Sequence, residues 1–209
     1  MDLFPLKPLC HRHSLAAIIP GMGLYEELKA EVAKCTRCAE LAGYRTQTVI
    51  GDGNIRSKVL MVGEAPGEDE DRQGIPFVGR AGKFLTNSLE ELGITRAMYY
   101  ITNTVKCRPP ENRQPEPEEI LNCSGFLAAQ IALMKPRIIV ALGRFGMQEL
   151  MKKDMKISDV HGKPIRSKDG VIFFPMFHPS AALRKTMYHD DFLSDCSRLR
   201  KLLDREKLI

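Results

Sequence analysis

The chain has 209 residues, 44% of them hydrophobic and 27% charged, enough apolar material for one ordinary globular domain with a single core. Lys and Arg total 31 against 26 Asp and Glu, a net charge of +5 that suits a polyanionic partner without demanding one. No run approaches the roughly 18 consecutive apolar residues of a membrane helix, and Met1-Asp2-Leu3-Phe4-Pro5 lacks the basic-then-apolar order of a secretion signal, so a cytoplasmic protein is expected.

Residues 1–20 read as an irregular lead-in broken by Pro5, Pro8 and Pro20, and residues 21–209 as the single working domain. The ordered pattern starts at Met22, which makes Met22 an alternative translation start. Leu24, Leu28 and Val32 recur at helical spacing and predict a helix over 23–34. Lys58 to Val62 predicts a strand, followed by a loop and a helix from Lys83 through Leu92. Tyr99 to Thr102 predicts a strand, and 117–133 a helix. Arg137 to Leu142, helix 144–152, Val171 to Met176 and a last helix near 190–206 complete the chain. This β-then-α order implies an α/β fold, three layers around a central, largely parallel four-stranded sheet. Ligands of such sheets sit beyond the carboxyl ends of the strands.

Three segments at those ends are unusual. Gly63-Glu64-Ala65-Pro66-Gly67 flanks a carboxylate with two glycines, letting backbone approach a flat ligand closely. It is neither a Walker loop nor a dinucleotide fingerprint, and a plain turn with a solvated acid remains an alternative. Further on, Phe77 stands between Pro76 and Gly79, where a loop would present it for stacking on a base. The acidic run Glu68 to Asp71 reads as solvated surface without a role in the site. Asn103 follows the strand ending at Thr102 and offers donor and acceptor together, a pair suited to reading the polar edge of a flat ligand; a turn cap is the plainer reading. His178-Pro179-Ser180 follows the last strand, in a turn that points toward the other two loops.

Six cysteines in a cytosolic chain favour metal or redox chemistry over disulfides. Cys35 and Cys38 form a C-x-x-C unit and Cys107 and Cys123 a wider pair, and four thiolates serve either tetrahedral zinc or a four-iron cluster. Cys10 and Cys196 stand apart and read as ordinary thiols. The loop after Cys107 holds Pro109, Pro110 and Pro115, so it is irregular, with Arg108 and Arg113 able to face phosphates or solvent.

Gly63 through Gly82, Thr102-Asn103-Thr104-Val105-Lys106-Cys107-Arg108-Pro109-Pro110 and His178-Pro179-Ser180-Ala181-Ala182-Leu183-Arg184 together resemble family 4 of the uracil-DNA glycosylases, the thermostable iron-sulfur branch of that superfamily. The resemblance covers roughly residues 23–205. It implies a [4Fe-4S] cluster on Cys35, Cys38, Cys107 and Cys123. It also implies a uracil site in which the base is extruded from DNA, stacked on Phe77, read by Asn103 and the backbone at Ala65, and stabilised at O2 by His178. Glu64 would position water or counter the sugar cation, and Leu183, Arg184 and Arg108 would contact DNA. The implied substrate is single- or double-stranded uracil-containing DNA and the implied state a monomer. A noncatalytic iron-sulfur nucleic-acid-binding protein of the same fold is the alternative, and a zinc-stabilised nucleotide hydrolase ranks last because four cysteines close a zinc site.

Overall fold

The computed structural model describes residues 22–151 and 155–209. The lead-in and Cys10 lie outside the described residues. Helices α1 (Met22–Ala33) and α2 (Ala39–Tyr44) precede the short strand β1 (Asp52–Gly53) and the first long strand, β2 (Val59–Gly63). Then come α3 (Glu68–Gln73), α4 (Arg80–Glu90), β3 (Tyr100–Asn103), α5 (Pro117–Met134), β4 (Ile138–Leu142), α6 (Gly143–Met151) and α7 (Ile157–Val160). Strands β5 (Ile165–Arg166) and β6 (Ile172–Met176) and helices α8 (Pro179–Arg184) and α9 (Thr186–Arg205) end the chain.

The strand order is β1-β3-β2-β4-β6-β5. The four inner strands run parallel, with Leu60 opposite Tyr100 and Ile139, and Ile139 opposite Phe173. Their residues are buried throughout, because helices cover both faces and leave no solvent side for polar alternation. The expected four strands are therefore the parallel core of a sheet of six. Strands β1 and β5 add antiparallel edges of two residues each; runs that short carry no readable period.

Alternate side chains of each strand enter different layers. Val59, Met61, Ile101, Val140 and Phe174 pack with Leu85 and Leu89 of α4 and Phe192, Leu199 and Leu203 of α9. Leu60, Val62, Ile139, Ala141 and Phe173 face the other way, onto Leu127 of α5 and Met147 and Leu150 of α6. The result is the expected α/β/α sandwich. A third cluster joins Leu28 and Val32 of α1, Leu41 of α2, Val105, and Phe126 of α5 around the cysteines. Among the described residues no helix is long and apolar enough to cross a membrane.

Candidate active site

The carboxyl ends of β2, β3 and β6 open into one cavity of about 350 Å³. Glu64, Ala65, Phe77, Asn103, His178 and Arg184 all line it, together with Gly82, Arg113 and Ser180. Six of the sequence-selected residues are thus brought to one place by three strand ends.

The loop after β2 is zipped to the chain leaving β3: Thr104 N–H donates to the Gly63 carbonyl at 3.0 Å and Val105 N–H to the Glu64 carbonyl at 3.0 Å. This extension past the sheet holds Asn103 beside Gly63. A Cβ at Gly63 would stand 2.5 Å from Asn103 Oδ1 and 2.6 Å from the Phe77 ring, so only glycine admits both side chains. Asn103 is 2% exposed, and its Oδ1 has no hydrogen-bond partner. An unpaired buried acceptor costs on the order of 1–3 kcal/mol unless a ligand satisfies it.

Phe77 adopts a left-handed backbone, φ 57°, rare for an aromatic residue. Gly82 permits this, since any Cβ there would collide with the Phe77 carbonyl. The anchor on the other side is Glu70. Its carboxylate accepts from Val78 N–H at 2.9 Å, Gly79 N–H at 2.8 Å and Gly67 N–H at 3.1 Å, so one side chain clasps both ends of the Phe77 loop. Asp71, 3% exposed, accepts from the backbone of Thr46 and Gln47. The acidic run is therefore not simply solvated surface: two of its four members are internal struts. The Gly67-x-x-Glu70 spacing, half of a capping box, was the available signal.

His178 caps α8. Its Nδ1 accepts from Ser180 N–H at 3.2 Å and lies 2.8 Å from Ser180 Oγ. An acceptor at Nδ1 puts the proton of the neutral ring on Nε2. Burial, and next the Arg184 charge, push the His178 pKa down to about 4, so the ring is neutral at pH 7. Phe77 and His178 face each other with ring centroids 6.0 Å apart. Burial raises the Glu64 carboxyl above its ordinary value, and the Arg144 and Arg184 cations partly offset it.

The expected DNA contacts divide. Arg184 is exposed at the cavity edge, whereas Leu183, on the same turn of α8, does not line it. Arg108 is drawn into its own loop: Nε donates to Asn112 Oδ1 at 2.8 Å, a terminal nitrogen lies 3.4 Å from Glu68, and the guanidinium sits over Tyr44. Arg113 forks onto Glu119 at 3.0 and 2.7 Å and also meets Glu40 at 2.8 Å, closing one wall.

On the side of α1 and α2, Cys35, Cys38, Cys107 and Cys123 line one small cavity of about 20 Å³. Arg45 donates to Cys107 Sγ at 2.8 Å, Lys106 N–H to Cys123 Sγ at 3.3 Å and Asn122 to Cys38 Sγ at 3.7 Å. Among the described residues, no three His, Cys, Asp or Glu side chains are gathered as a single metal ion requires. Cys196 is apart from this group, fully buried in α9.

A cavity at the carboxyl ends of a parallel sheet, lined by a buried amide, an aromatic ring and a histidine, stands where α/β proteins take their ligands. Residues 50–200 match the model of the uracil DNA glycosylase superfamily, and the chain belongs to that superfamily. Among the similar proteins are type-4 uracil-DNA glycosylases. That of Thermotoga maritima is 48% identical over 77% of this chain and 84% of its own length. The Sulfurisphaera tokodaii protein is 42% identical over 87% and 86%, and that of Archaeoglobus fulgidus 38% over 87% and 94%.

Proposed function

We propose that this chain is a DNA-repair glycosylase that hydrolyses the N-glycosidic bond of deoxyuridine in DNA, releasing uracil and leaving an abasic site, and that the cavity at the strand ends is where it does so. The observation that carries this reading is Asn103: a buried acceptor with no partner, in a cavity walled by Phe77 and His178. Uracil presents N3–H to such an acceptor and O4 to the amide N–H, whereas cytosine presents the reverse pattern and leaves like groups facing.

The uracil would be extruded from the stack, since a base inside a duplex cannot reach this cavity. Phe77 supplies the stacking face and Ala65 a close main-chain wall. Bond cleavage leaves uracil anionic and the sugar cationic. His178, neutral with its proton on Nε2, donates to O2 as negative charge develops. An imidazole made hard to protonate can give this hydrogen bond without first transferring its proton. Glu64 positions water or opposes the sugar cation. Arg184 meets the DNA backbone, with Leu183 and Arg108 as further DNA contacts. The enzyme would act as a cytoplasmic monomer on uracil in single- or double-stranded DNA.

The four cysteines fit a [4Fe-4S] cluster. They line one cavity, and three already receive N–H donors of the kind that stabilise cluster sulfurs. When bound, the cluster supplies structural cross-linking, because glycosidic hydrolysis involves no redox change. It would tie α1, α2, the 107–123 segment and α5 together.

Release of free uracil from a uracil-containing oligonucleotide tests the activity. We expect stoichiometric uracil release, with thymine and cytosine left in place. Binding without release would instead identify a noncatalytic nucleic-acid module.

A further inference from the structure

Lys106 is 1% exposed, an unusual place for an ammonium group. Its Nζ makes three hydrogen bonds, to the Asn103 carbonyl at 2.6 Å, Thr102 Oγ1 at 2.7 Å and Gln130 Oε1 at 2.7 Å. All three donors are therefore used inside the protein. The main chain of the same residue faces the cysteines, its N–H donating to Cys123 Sγ at 3.3 Å, while its carbonyl accepts from Val49 N–H at 2.8 Å. Gln130, on α5, also donates to the Ile50 carbonyl at 2.8 Å, which fixes the acceptor that Lys106 uses.

The geometry points to Lys106 as a positioning residue for uracil recognition: its ammonium clamps the Asn103 carbonyl from below and so holds the base-reading amide at the cavity, joining that amide to the cysteine site. This rests on the assignment of Asn103 as the base reader. A buried cation with three neutral acceptors is expensive to maintain, and one apolar side chain of similar length would fill the space without that cost. What the apolar chain lacks is a donor that curls the strand end back on itself, from residue 106 to the carbonyl of residue 103. Lys106 Nζ is the side-chain donor from which the Asn103 carbonyl accepts, at 2.6 Å.

Single-turnover uracil excision by Lys106→Met, Asn103→Ala and the double variant, each alongside iron per chain and visible absorbance, tests the inference. The Lys106→Met protein should keep the parent's iron content and lose about 30-fold in excision, and the double variant should fall no more than about threefold below Asn103→Ala. Should Lys106→Met not fold, the isosteric Thr102→Val removes one Nζ acceptor and should show a smaller loss, also absorbed by Asn103→Ala. Losses that multiply in the double variant, parental excision in Lys106→Met, or a loss no greater than the iron lost would overturn the positioning role. Parental excision in Asn103→Ala would overturn the base-reading assignment itself, a different failure.

Discussion

At His178, a hydrogen bond sets the tautomer of the ring. Because Ser180 N–H needs an acceptor, Nδ1 must lack a proton, and Nε2 carries it. The folded pKa of about 4 lies below the ordinary value of 6.5, so this ring stays neutral throughout the range where a free histidine would charge. Ring-nitrogen NMR on the native protein should show the Nε2–H form at pH 7 and a midpoint near 4; a midpoint near 6.5 would contradict it. Excision should accordingly show no titration near pH 6.5 attributable to His178. Gly63 gives a steric counterpart: Gly63→Ala should lower excision by at least about 100-fold, since its methyl group would overlap Asn103 and Phe77. Asn103 and His178 are legible in the sequence because each stands at a strand end in an α/β pattern, and Phe77 because Pro76 and Gly79 bracket it in a loop. The partners that set their states are less so: Ser180 acts through its main chain, and Lys106 through a fold-back that spacing does not reveal.

At the scale of elements, long buried strands announce themselves and short pieces do not. The runs at 58–62, 137–142 and 171–176 are read within a residue or so, whereas β1 and β5 form only because β3 and β6 offer edges to pair with. Helix α9 starts at Thr186, four residues before the expected 190, since the turn after α8 leads straight into it. Helix α3 is the instructive case. Its four acids look like solvated surface, yet Glu70 faces inward to hold the Phe77 loop and Asp71 to hold the chain at Thr46. Replacing a carboxylate that accepts three backbone N–H groups leaves those donors short. Glu70→Ala should cost about 1–3 kcal/mol of stability by denaturant unfolding, together with a raised KM for uracil-containing DNA. Unchanged KM would mean that the loop holds its shape without this strut.

Across the whole molecule, one short stretch of chain runs between the cavity and the four cysteines. Residues 103–107 run from the Asn103 amide to Cys107, bonded to Gly63 and Glu64 on one side and to Cys123 on the other. The cysteine spacing makes the four-cysteine group visible in the sequence, but not its connection to the cavity, which depends on Gln130 of α5 reaching Lys106 and the Ile50 carbonyl. Cys123→Ser should therefore reduce iron and visible absorbance, lower Tm, and diminish excision together. An iron-free variant with parental Tm and excision would show that the cysteine site does not support the cavity.

Measuring single-turnover uracil release and uracil-DNA binding together, in the parent and in His178→Ala, reaches the centre of the proposed mechanism. We expect the parent to release uracil, and His178→Ala to be slower by about 100- to 1,000-fold while its affinity for uracil-containing DNA stays within about threefold. No uracil released by the parent, or equal losses of rate and affinity in the variant, would contradict a cavity built to stabilise the departing uracil anion.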